Sequence, residues 1–176
     1  MALSSTEKRI AIAKDVIKQA RYLKLSPTYY INMVPICNYI DKLEEKGKGY
    51  DSNAQKHLKE LRKCEVCALG SMLLSHIKLY NSVNITDITS EFECIEDFMP
   101  YFTEKQLTSI ELAFMGVMVR FGSISLTEEE FNHCVQWRSL IRDEKQRVIA
   151  IMKNIIKNNG EFIPSQLPKR KIKNGK

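Results

Sequence analysis

Glycine and proline are scarce, seven and five in 176 residues. So few turn formers exclude an all-β chain with many tight turns, and they leave no glycine-rich strand-to-helix loop of the kind that cradles phosphate. Long apolar runs are missing too. The longest uncharged stretch with a helical pattern, residues 66–77, has twelve residues, well short of the roughly 20 that cross a bilayer, so it reads as a buried helix and no membrane partner is expected. The first residues, Met1-Ala-Leu-Ser-Ser-Thr-Glu-Lys-Arg, carry no apolar core of signal-peptide type, which predicts a cytoplasmic chain. Gly-x-Ser-x-Gly, His-Glu-x-x-His and P-loop signatures are likewise missing.

What is present is ordinary globular material: 44% apolar and 27% charged residues. At this length one domain can bury about 70% of its unfolded surface without a metal or disulfide, so no cofactor is required. The formal net charge is +6, but it is concentrated at one end. From residue 157 onward Lys157, Lys169, Arg170, Lys171, Lys173 and Lys176 face only Glu161, which leaves the preceding body close to neutral. The cysteines, Cys37, Cys64, Cys67, Cys94 and Cys134, are odd in number and mostly set in apolar helical patterns, as reduced thiols in a reducing cytosol would be.

Apolar residues at three- and four-residue spacing predict an all-α fold: a single-domain bundle of five or six helices around a buried central one. Ile10, Ala13, Val16, Ile17, Ala20 and Leu23 give a first helix over about 5–23, stopped by Ser26-Pro27. Residues 28–34 are β-branched and aromatic enough to be extended, and Pro35 suits the first turn of a second helix reaching 45 or 46. A third helix, capped at Ser52 or Asn53, is expected to continue through Cys64-Glu-Val-Cys67 to Tyr80 as the central helix, with Cys64, Ala68, Ser71 and Ser75 as its stripe of small residues. Thr103-Glu-Lys-Gln106 and Thr127-Glu-Glu-Glu130 are capping boxes opening helices over about 103–121 and 127–158. The second of these carries a seam of Phe131, Cys134, Ile141, Val148, Met152 and Ile155. The domain is expected to occupy residues 1–160, followed by a basic, disordered tail over 161–176.

Few groupings could carry chemistry. On a helix, the sulfurs of Cys64 and Cys67 would project about 60° apart, close enough to share a metal or form a redox couple. His57, two turns earlier, is the nearest third ligand, but a fourth has to come from elsewhere. Buried thiols between helices are the preferred reading, since free cysteine is among the most buried residue types. A thiol nucleophile would need an imidazole within reach, yet His57, His76 and His133 are each isolated, and His76 among Leu73, Leu74 and Ile77 reads as a core histidine. No catalytic residue is therefore assigned. Glu111, between Ile110 and Leu112, is placed on a wet face with Lys105, Thr108 and Ser109.

For nucleic acid, a helix-turn-helix around residues 122–126 would lead with Glu128, Glu129 and Glu130, three carboxylates against phosphate. The better candidates for nucleic acid or an acidic partner are Lys169, Arg170, Lys171 and Lys173 in the tail, which would bind weakly and without sequence preference.

Three stretches together resemble a loose group of small uncharacterised bacterial and phage helical proteins: Arg9-Ile-Ala-Ile-Ala-Lys-Asp-Val16, Cys64-Glu-Val-Cys-Ala-Leu-Gly70, and Tyr101-Phe-Thr-Glu-Lys-Gln-Leu107 leading to Ile110-Glu-Leu-Ala-Phe114. The resemblance spans about the first 120 residues and implies a shared helical core, with no activity attached. A helical body without a recognisable catalytic set, with tyrosines at Tyr29, Tyr30 and Tyr39 as interface candidates, points to a non-enzymatic protein-interaction module, with homo-oligomerisation open to it. By analogy it would be a phage or mobile-element protein that binds and inhibits a host or defence protein. The alternatives are a nucleic-acid accessory protein using the basic tail and a metal- or thiol-dependent enzyme centred on Cys64 and Cys67.

Overall fold

The computed structural model describes residues 2–27, 31–81, 83–89, 99–116 and 126–169. The chain is mostly helical, and six of its helices are 12 to 15 residues long. Helix α1, Ser5–Gln19, opens on a capping box in which Ser4 Oγ accepts from the Glu7 N–H and the Glu7 carboxylate accepts from the Ser4 N–H. That exchange satisfies two amides a helix start leaves bare. A short strand β1, Lys24–Leu25, follows, then α2, Val34–Glu45, with proline in its first turn.

The third predicted helix is corrected. Residues 54–80 hold a 3-10 turn, Ala54–His57, a one-turn helix α3, Leu58–Leu61, a second strand β2, Glu65–Val66, and α4, Ala68–Tyr80. Strand β2 pairs in parallel with β1, Lys24 against Glu65 and Leu25 against Val66. The Val66 carbonyl also accepts from the Ser26 N–H at 2.9 Å, and the Glu65 carbonyl from the Asn32 N–H at 2.7 Å. These backbone bonds come from residues 33 to 41 positions away and replace the i to i−4 ladder a helix would have made. The core-helix expectation holds for α4: each residue from Ala68 to Ile77 is buried. Helices α1 and α3, and α6 below, pack around it.

After α5, Ile85–Thr89, comes α6, Glu104–Met115, capped by the predicted Thr103–Gln106 box and ended by Gly116 at φ +74°. A Cβ at Gly116 would lie 2.5 Å from Arg138 Cδ, and Arg138 itself donates to the Met115 carbonyl. Helix α7, Glu128–Leu140, starts at the predicted Thr127 box.

The single last helix expected over 127–158 is also corrected, since the chain breaks at Ile141 and restarts as α8, Glu144–Lys157, with Asp143 accepting from the Gln146 N–H at 2.7 Å. Arg147, only 1% exposed, holds the break: its Nη1 donates to the carbonyls of Ile141 at 2.7 Å and Arg142 at 3.2 Å, and its guanidinium lies 5.0 Å from the Phe114 ring. Of the expected seam, Cys134, Val148, Met152 and Ile155 are buried, but Phe131 is exposed because the break turns α7 onto α6 while α8 lies along α1.

The chain stays on the body beyond Gly160, later than the expected start of the tail. Phe162 is buried edge-on against Trp137, whose indole N–H donates to the Pro164 carbonyl at 2.8 Å. Asn154 fastens the same strap: its Oδ1 accepts from the Ile163 N–H at 2.8 Å, and its Nδ2 donates to the carbonyls of Ile163 at 3.1 Å and Gln166 at 3.4 Å.

Candidate functional site

The paired cysteines flank β2 and are not on one helix face. Cys64 ends the turn after α3 and Cys67 precedes the first residue of α4; both are buried, as is Cys134 on α7. Burial pushes the Cys64 thiol up to about 11 and those of Cys67 and Cys134 up to about 12, because a thiolate there would lose its hydration, a loss that the smaller pull of Lys24 on Cys64 does not offset. The charged neighbours that act on Cys64 are Cys37, Glu60 and Lys24, and on Cys67 the carboxylate of Glu111. None of these is an imidazole. Glu111 is itself corrected: it is 2% exposed, and Thr108 and Ser109 are buried beside it on α6, which is enclosed by α4, α7 and α8 and has no wet face over that stretch.

His57 serves the local fold. Its Nε2 lies 2.6 Å from the Asp51 carbonyl, and its ring sits edge-on to Tyr39 at 5.7 Å and Tyr50 at 6.3 Å. Among the described residues no three of the ligating types histidine, cysteine, aspartate and glutamate gather as a metal site. His76 is a core histidine as predicted: it shares a hydrogen bond with the Tyr101 hydroxyl, and burial, with Lys8 nearby, lowers its pKa to about 4. Tyr39 is half-buried against His57, while Tyr29 and Tyr30 lie outside the described residues. In the basic tail, Lys169 is exposed and Arg170, Lys171 and Lys173 lie outside the described residues. Among the described residues no helix is long and apolar enough to cross a membrane.

Sequence reasoning passed over a corner where three segments meet. Lys18, Gln19, Arg21, Tyr22 and Leu23 at the end of α1, Arg62 after α3 and Lys78 near the end of α4 line a cavity of about 330 Å³. Among the described residues the lining contains four cations and no carboxylate. Asp15 lies behind it, paired with Lys78 and accepting from the Gln19 amide, which also donates to Ser75 Oγ at 3.2 Å. This buried polar cluster fixes the floor. At the rim, Tyr22 is 68% exposed with the Arg21 guanidinium 4.5 Å from its ring centroid. Among the described residues no carboxylate pairs with Lys18, Arg21 or Arg62, as holds for most of the described cations; what sets this corner apart is that the three line one concavity. The adjacent Arg21-Tyr22 was the signal available in the sequence, but its partners lie about 40 and 57 positions further on.

Chemically, the arrangement can neutralise an anion and offer an aromatic face. Compared with protein-family models, curated proteins and solved structures, the chain finds no match.

Proposed function

We propose that this protein works by binding rather than by catalysis, docking the α1–α3–α4 corner onto an acidic surface of a protein partner and so modulating it. The observation that carries this reading is the cluster of Lys18, Arg21 and Arg62, unpaired with any described carboxylate, around an exposed tyrosine. Tyrosine and arginine dominate the energetics of protein interfaces, and unpaired cations both steer an acidic partner and select for it. The sulfurs support the same reading, since thiols that remain protonated in an apolar interior are packing groups rather than nucleophiles. A host or defence protein is the partner that the bacterial and phage resemblance suggests. The test is affinity capture with tagged wild-type chain and a Lys18→Ala/Arg21→Ala/Arg62→Ala variant at about 0.15 M salt. A stoichiometric acidic partner should be held by the wild type and lost by the variant; equal capture by both overturns the assignment of this surface.

A further inference from the structure

The same corner is concave, and its charge calls for more than one carboxylate. Resting on the docking reading, we propose that the cavity receives a phosphomonoester carried on a side chain of the partner protein. Four cations line it, Lys78 is already shared with Asp15, and the C-terminal ends of α1 and α4 nearby each contribute about half a negative charge. About two positive charges are left, which matches the −1.5 to −2 of a phosphomonoester near pH 7. Geometry favours the same group. A carboxylate offers two oxygens, and a phosphoryl group three strong acceptors that can be shared among two guanidinium forks and an ammonium. Arg21 and Arg62 come from separate segments and both line one small cavity, so a compact polyanion inside it can meet both, while a flat acidic surface cannot enter it. The floor is built before any ligand arrives, because Gln19 is tied to Asp15 and Ser75 and Lys78 to Asp15; that part of the site needs no ordering on binding. Tyr22, exposed and also lining the cavity, offers an aromatic face to the backbone of a phosphorylated segment.

The experiment is a titration of the full chain with O-phosphoserine, and separately with succinate of the same formal charge, followed by amide and arginine side-chain NMR shifts. O-Phosphoserine should saturably shift Lys18, Arg21, Tyr22 and Arg62 and bind about tenfold tighter than succinate. Arg21→Ala and Arg62→Ala should each weaken it about fivefold or more while leaving the amide spectrum of α6 to α8 unchanged. Equal binding of the two anions, no saturable shift, or shifts at other residues overturns the phosphate assignment. Acidic-partner capture that still depends on the corner then leaves the docking reading standing, whereas loss of both results removes both. A degenerate phosphoserine peptide library, inorganic phosphate and a twelve-residue oligothymidylate identify the source. The peptides should bind tightest, and tighter binding of the oligonucleotide or of free phosphate overturns a protein-borne phosphate.

Discussion

At Cys64, Cys67 and Cys134 loss of hydration outweighs the backbone and side-chain hydrogen bonds that would favour a thiolate. Native protein at pH 8 should therefore label with iodoacetamide far more slowly at these three than in denaturant; peptide mass spectrometry reads each site, and fast native labelling of Cys64 or Cys67 would contradict the buried placement. His76 behaves oppositely. Its folded pKa, about 4, lies below the ordinary 6.5, so on acidification the unfolded chain takes up its proton first. The stabilisation is complete above about 6.5 and is lost as pH falls toward 4, at most about 3 kcal/mol. Urea unfolding at several pH values should show that loss, and a His76→Asn variant should show a shallower acid limb. The core placement of His76 was legible from its apolar neighbours on α4. That of Glu111 was not, because its flanking residues read equally well as a wet face until α4, α7 and α8 are in place around it.

Elements announced themselves where the signal was local. The capping boxes at Thr103 and Thr127 and the proline near the start of α2 all mark true helix starts, since each satisfies or removes amides within one turn. The breaks were hidden where the cause was distant. Residues 62–67 contain no glycine or proline, and strand pairing with Lys24–Leu25 decides their conformation. At 141–143 the buried Arg147 supplies donors to carbonyls that a continuous helix would have paired internally; Asp143 with Gln146 three residues on was the one cue, an N-cap without the hydroxyl residue of the usual box. The cationic corner escaped for the same reason as the breaks, being assembled from three segments. The strap after α8 gives a prediction at this scale. Asn154→Ala removes the three hydrogen bonds to the strap and a fourth from Asn158, and should cost about 2 to 3 kcal/mol. It should also speed chymotryptic cleavage at Phe162 and shift the emission of Trp137, the protein's one tryptophan, to the red; unchanged fluorescence and cleavage would show that Asn154 does not hold the strap.

Across the whole molecule, one extensive contact joins the two ends of the helical order. Helix α1 lies along α8 on one side and α4 on the other, and α6 touches α4, α7 and α8. The buried apolar residues of these helices form one continuous core, so thermal unfolding should be one transition with equal calorimetric and van't Hoff enthalpies. A chain stopped after Arg142, lacking α8, should show little native helix by circular dichroism. Two separated transitions, or a stable truncated fold, would refute this.

The pairing of α1 with α8 also sets a timetable for synthesis. The apolar side of Ser5–Gln19 leaves the ribosome about 140 residues before Glu144–Lys157, which at ~5–20 residues per second is roughly 7 to 30 s without its cover. Through that interval only α4, complete at Tyr80, is there to cover part of α1, and a premature stop before α8 is expected to leave the remaining apolar side of α1 bare.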